Sequence, residues 1–478
     1  MPQDRSIPTA ADLDKMQWVA DPHADEAVAA ILGPWTGEDG TAARLKRVDE
    51  LNAAIRSWQD NAGVCAWRPD ARPAAAGIAE PLQRYLTAAQ PLPPWADRDR
   101  VARAEAMFMD YGALSVTMLF CASLPECYVV PDLATVLHAT GQLEDRAEHR
   151  IRTTGAMIFP VMMTGGLTLP NGSGIAQVLK VRLIHATVRN LILRASPEDA
   201  VAALRCASDG AATIPPLAAV QPDDSMQRAL HVHGWDIKAC ALPNNQEELA
   251  YTLLTFSYVF LRALRRLGIA FTPAQEEDYL HAWNVAGYFL GIRRELMVDT
   301  MADAQTLFAL MQARGRADVA KRPGPDPRPQ LGGALMGAME SVIPKGPFKS
   351  FPALLARRLI EPASAHDLGL DGSVSWISKV CFAALMGTAF GIDAVARIAF
   401  PDFSISRLIT RAVGYQLTCK LLMSQTRDLS VPVALRPGIR TLIAGWGKDP
   451  EASRWMNAVE DSVTTHGNWE ALEPHEPR

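Results

Sequence analysis

The stretch KVRLIHATVRNLIL, Lys180 to Leu193, places one imidazole in an apolar and basic helical run. At about 100° per residue, Val178, Val181, His185, Val188 and Ile192 share one narrow stripe, with His185 standing where an apolar residue would otherwise sit. Two chemistries fit. One is a core histidine that has found a hydrogen-bond partner. The other is a neutral imidazole facing a dry cavity and ligating iron. His185 has no His, Asp or Glu at i+4, which argues against a zinc or di-iron site. Haem tolerates a single protein ligand. Arg182 and Arg189, at i−3 and i+4, lie on the adjoining face and are read either as solvated or as partners for a porphyrin's carboxylates.

A second pair stands in RIRTTGAM, where Arg150 and Thr154 fall four residues apart on one helical face and Thr153 precedes Thr154. Read plainly, these are a surface arginine and a threonine bonding back to a carbonyl. Read as a site, they are preorganised donors for developing negative charge. His138 and His281 are each ambiguous between a pocket lining and an interhelical hydrogen bond. The His231-x-His233 pair in HVHGW lacks a nearby third ligand. VMMTGGLTLPNGSG, Val161 to Gly174, has no phosphate-binding glycine spacing and reads as a flexible loop. The seven cysteines include no C-x-x-C pair, which fits buried thiols rather than a disulfide frame or a Cys-rich zinc site.

The elements that must carry these residues read as helices almost throughout, with no strand alternation and no βαβ rhythm. Asp97, Ser196, Thr272 and Asn244 or Asn245 mark helix starts. The expected fold is therefore all-α. Its parts are an N-terminal extension over 1–80, a core over 81–313, a Pro/Gly-rich and charged linker over 314–333, a second helical block over 334–446 and a polar tail over 447–478. The net charge of −5 shows no basic field for nucleic acid. The first residues lack an apolar signal core, so a cytoplasmic protein is expected. Two apolar segments near residues 112–130 and 380–400 approach spanning length but are interrupted by Pro125 and Glu126 and by Asp393 and Arg397. Core helices are expected there, with membrane contact but no span as the weaker reading.

Several stretches in order, SLPECYVVPDLATVLHATGQLEDRAEHRIRTTGAM, then KVRLIHATVRNLI, then PNNQEELAYTLLTFSYVFLRALRRLGIAFTPAQEEDYLHAWNVAGYFLGI, resemble the latex-clearing-protein and MpaB-like oxygenase family. The resemblance runs from about Asp97 to Ile292. It implies a globin-like helical core holding haem b, with His185 as the axial iron ligand. It also implies a cofactor pocket to which Arg150, Thr153 and Thr154 belong, with Arg150 and Thr154 as the catalytic donors that orient O2. The family's Arg-x-x-Lys-Thr pattern has Thr153 in place of its lysine here, which implies a different coordination opposite His185. The activity implied is oxidative cleavage of C=C bonds in a hydrophobic small molecule or polyisoprenoid. A haem-binding or sensor protein without turnover, and a helical lipid-binding protein without haem, are the competing readings.

Overall fold

The computed structural model describes residues 6–396, apart from 69–75, 90–91, 131–135, 137–146, 207–212, 222–223, 320–324 and single positions at 342, 344–345, 347 and 373. Side chains over 147–153 and a few other helical positions are likewise outside what it describes, as are residues 397–478. Within those residues the chain is all-α. The one sheet is a two-residue antiparallel ladder that pairs Thr213 with Asp236 and Ile214 with Trp235.

Helix starts fall where local chemistry puts them. Asp97 accepts from the amides of Asp99 and Arg100 to open Arg98–Tyr111. Thr272 and Gln275 form a capping box ahead of Pro273–Phe289. Asn245 caps Gln246–Phe256 by accepting from the Glu248 amide at 3.0 Å. Asn244, just before it, holds a φ of 50°, a left-handed position that asparagine tolerates better than most side chains.

Two apolar cores share one wall. The larger gathers Phe108, Phe120, Tyr251, Phe260, Tyr279 and Phe289. The smaller joins the N-terminal helices, through Val28, Leu51, Trp58, Leu82 and Tyr85, to Leu179, Leu183 and Leu191 of the His185 helix, Gly174–Leu193. Pro22–Leu32 and Asn61–Cys65 thus pack directly against that helix. The side chain of Val178 faces the larger core.

The region expected as a linker is mostly helical. Met301–Val319 runs into it and Arg328–Ser341 begins inside it, leaving only 320–327 between them. Among its described residues, Arg314 pairs with Asp14 at 2.7 Å and Glu247 at 2.9 Å, Arg316 with Asp367 at 2.7 Å, and buried Arg328 with Asp326 at 2.8 Å. Composition marked the stretch as a linker because every one of these partners except Asp326 is remote in sequence.

No single helix among the described residues is long and apolar enough to cross a membrane. Arg98–Tyr111 and Leu114–Cys127, bent by 93° at their junction, pass on length and composition only as a pair. Residues 114–130 of that pair and the turn after it are buried in the larger core, where a π-helical turn at Leu119–Ser123 precedes Leu124, Cys127 and Tyr128. Glu126, which interrupts this apolar run, is fully buried. It accepts from Arg262, Gln312, Ser364 and the Glu361 amide.

Candidate active site

The His185 helix and the Thr154 helix, Ala147–Met162, pack against each other as a hairpin and line one side of a cavity. Val178, Val181, His185 and Val188 face into it, which is the stripe read from the sequence. Ile192, the last member of that stripe, packs instead in the N-terminal core. Gln246–Phe256 and Pro273–Phe289 close the opposite side with Leu249, Leu253, Phe256, Trp283 and Ala286. The cavity volume is about 300 Å³, and the space is partly open to solvent. Pockets that take cofactor-sized ligands run to roughly 300–1,000 Å³. Ile184 is exposed and also lines the space, so the opening lies beside His185.

Among the described residues, the polar groups on this apolar surface are few: His185, Thr154, Tyr128, Asn244, Thr252, the Cys127 thiol and the Trp283 indole. His185 is half-buried and is the one imidazole among the described residues lining the cavity. An imidazole nitrogen on a dry wall, with hydroxyl groups elsewhere on the lining, is a donor set that suits a single-ligand haem iron. Among the described residues, no cluster of three His, Cys, Asp or Glu side chains exists to hold a metal ion by itself. Arg150 and Thr153 lie on the Thr154 helix, but their side chains are outside the described residues. Thr154 is described and lines the cavity.

Three other described histidines have other work. His281 turns away from the cavity that Trp283, two residues on, helps to line. Its Nε2 accepts the Asp97 amide at 2.9 Å, and burial, then the nearby Arg100 charge, depresses its pKa to about 4. His231 is buried edge-on against Trp35 with Nε2 3.2 Å from the Thr41 hydroxyl, and burial brings it to about 4. His233 Nδ1 lies 2.9 Å from the Gly234 carbonyl. His138 is outside the described residues.

Arg182 and Arg189 are neither solvated nor turned to the cavity. Arg182 is clamped bidentately by Asp21, and Arg189 Nε donates to Asp25 at 2.8 Å. Both pairs are buried. Burial pushes the Asp25 carboxyl up to about 6 in spite of Arg189. The two arginines sit on the flank of the helix that meets the N-terminal segment. Helical spacing located that flank correctly but could not supply the acids.

The 163–173 connection between the two site helices is pinned rather than loose. Asn61 Nδ2 donates to the carbonyls of Gly166 and Leu169 at 2.9 and 2.8 Å, and its Oδ1 accepts the Ala176 amide. Glu105 accepts from the amides of Gly165 and Leu167 at 2.7 and 3.2 Å. Glycine is required at 166 because a Cβ there would come within 2.2 Å of the Pro160 carbonyl oxygen.

Glu105 is nearly fully buried, and that burial raises its carboxyl from 4.5 to about 7, although the loop amides pull it down. Because the folded value lies above the unfolded one, the folded chain binds the extra proton between those two values. Stability therefore rises as pH falls through that window and is lost as pH climbs through 7. Glu105→Gln removes this slope. In urea titrations at stepped pH, wild type gains on the variant as pH drops from 8 to 5, by roughly 1 kcal/mol per unit. A difference that stays flat across that range would contradict the burial argument.

Tyr128, Asn244 and Thr252 were not singled out as cavity residues from sequence. Asn244 had a signal only as a candidate cap in PNNQEEL, and Tyr128 and Thr252 none beyond the resemblance.

A family model described as "ER-bound oxygenase mpaB/B'/Rubber oxygenase, catalytic domain" matches residues 99–389. The rubber oxygenase of Streptomyces sp. (strain K30) is 23% identical over 296 residues, covering 61% of this chain and 58% of that relative's length. The solved structure of latex clearing protein LCP in the closed state superposes with a TM-score of 0.53 at 17% identity, covering 90% of this chain and 91% of the other. That likeness is one of fold, and the family match over more than half of the residues goes further: the chain belongs to the mpaB/rubber oxygenase catalytic-domain family.

Proposed function

We propose that the chain is a haem b-dependent oxygenase that uses O2 to cleave C=C bonds in a hydrophobic, isoprenoid-type substrate. The observation that carries this reading is the His185 imidazole set in the wall of an apolar cavity that Thr154 also lines. His185 would hold the iron through one ring nitrogen, which requires the neutral imidazole. Haem, when bound, supplies the O2 chemistry that no side chain here can perform. The protein's part is position and dryness. Val178, Val181, Val188, Leu253 and Phe256 exclude water and give an alkene an apolar bed. The Thr154 hydroxyl would donate a hydrogen bond to oxygen, a role that comes from the family resemblance. Arg150, one helical turn before it, adds a second donor, a role that comes from the family resemblance.

The test is an incubation of purified protein with reductant, O2 and a panel of polyisoprenoids and shorter unsaturated isoprenoids, read by mass spectrometry for aldehyde and ketone products. Carbonyl products that require both O2 and His185 are expected. Haem binding without products on any member of the panel would favour a haem-binding or sensing protein without turnover, a reading supported by Thr153 standing where the family carries lysine.

A further inference from the structure

We propose that Asp21 and Asp25, which lie outside the family-matched residues, are positioning residues that aim His185 into the cavity. The proposal rests on the reading of His185 as the haem ligand.

The two arginines they hold stand at i−3 and i+4 from His185 on the same helix. Seven residues of helix separate them, about 10 Å along the axis, with His185 between. Each is fixed by a different carboxylate, Arg182 by Asp21 and Arg189 by Asp25. The two residues are also tied together, since the Asp21 backbone amide donates to Asp25 Oδ2 at 3.0 Å. Two anchors on one flank set both the rotation and the axial position of a helix, where a single anchor would leave rotation free. A ligand side chain is productive only within ~0.5 Å and ~10–20° of its intended geometry, so rotation of this helix matters directly.

The same arginines reach the cavity's other walls. Arg189 Nη1 donates to the Asn244 carbonyl at 3.0 Å, and Asn244 lines the cavity. Arg182 Nη1 meets the Phe289 carbonyl at 3.4 Å, next to Leu290, another lining residue. Space for the Asp21–Arg182 pair is kept by Gly291, whose φ is 86°. A Cβ there would come within 2.5 Å of Asp21 Oδ2 and 2.8 Å of Arg182 Nε. Buried ion pairs add little net stability compared with apolar packing, and their best-attested use is to specify one register. Here the register specified is that of the His185 helix against the cavity.

The experiment uses the full chain and the variants Asp25→Asn and Arg182→Lys, which keep side-chain size while removing a charge or the bidentate fork. Two readouts are taken. In haem-free protein carrying ¹³C-labelled histidine, the His185 signal is assigned with His185→Gln and compared with exposed His366. In haem-loaded protein, the iron–histidine stretch is read by resonance Raman, and haem loss to an excess of a high-affinity acceptor is timed. Both variants are expected to shift or split the His185 signal while leaving His366 unmoved. They should also broaden the iron–histidine band and speed haem loss by roughly 10–100-fold, the scale of losing an outer-shell partner. Unchanged His185 and iron–histidine signals in both variants would overturn the proposal. A wild type that takes up no haem, but whose His185 signal still moves in the variants, would retire the haem reading and leave the positioning role standing.

Discussion

His185→Gly is expected to lose tight haem binding, with affinity falling by at least ~100-fold, and to lose any oxygenase turnover with it. Outer-shell partners of metal ligands alone are worth 10–100-fold, so removal of the ligand itself sets that as a lower bound. The loss is expected to be local. His185 is half-buried at the mouth of the cavity, beside exposed Ile184, so glycine there removes a ligand without stripping a packed core position. Added imidazole then has room to enter the vacated wall and restore the spectrum of the loaded protein. Haem titrations with and without imidazole check this. A variant that binds haem with wild-type affinity and an unchanged spectrum would move the ligand elsewhere. A variant that fails to refold would instead mark His185 as a packing residue.

The second large effect is expected at Glu126. Its carboxylate, wholly buried, takes Arg262 Nη2 at 2.6 Å, Gln312 Nε2 and Ser364 Oγ at 2.7 Å and the Glu361 amide at 3.2 Å. These partners come from three different parts of the fold, and Glu126 sits between Leu124 and Cys127, which line the cavity. Removing one side of a buried ion pair leaves the other charge and its donors without their acceptor, which costs about 3–5 kcal/mol. Glu126→Ala is therefore expected to lower the free energy of unfolding by that amount. Glu126→Gln, which keeps an acceptor oxygen and the volume, should lose about 1–3 kcal/mol. Denaturant midpoints of the three proteins decide it, and an alanine variant within 0.5 kcal/mol of wild type would show that the network contributes little.

What could be read from sequence was what is local. Caps at Asp97 and Thr272 act on amides two or three residues away, so residue type and spacing suffice to place them, and the same logic narrowed a third to Asn244 or Asn245, of which the structure uses Asn245. The apolar stripe through Val178, Val181, His185 and Val188 followed from helical periodicity and faces the cavity as expected. Arg182 and Arg189 show the limit. Their flank was evident, but Asp21 and Asp25 lie 161 and 164 residues away, and no periodicity connects them. The 163–173 loop looked flexible because its glycines and polar residues carry no sign of Asn61 or Glu105, which brace it from 60 to 115 positions away. The charged stretch after Arg314 looked like a linker for the same reason. On the Thr154 helix, the sequence named the face that bears Arg150 and Thr154, and the structure brings Thr154 to the cavity.

The central claim is that this cavity is built around a haem held by His185, and the absorption spectrum tests it most directly. Full-length protein purified from haem-supplemented cells is measured oxidised and then reduced with dithionite, alongside His185→Gly prepared in the same way. The account predicts a Soret band and one iron per chain in the wild type, a band shift on reduction, and neither in the variant without added imidazole. A folded wild-type protein that is colourless and iron-free would contradict it.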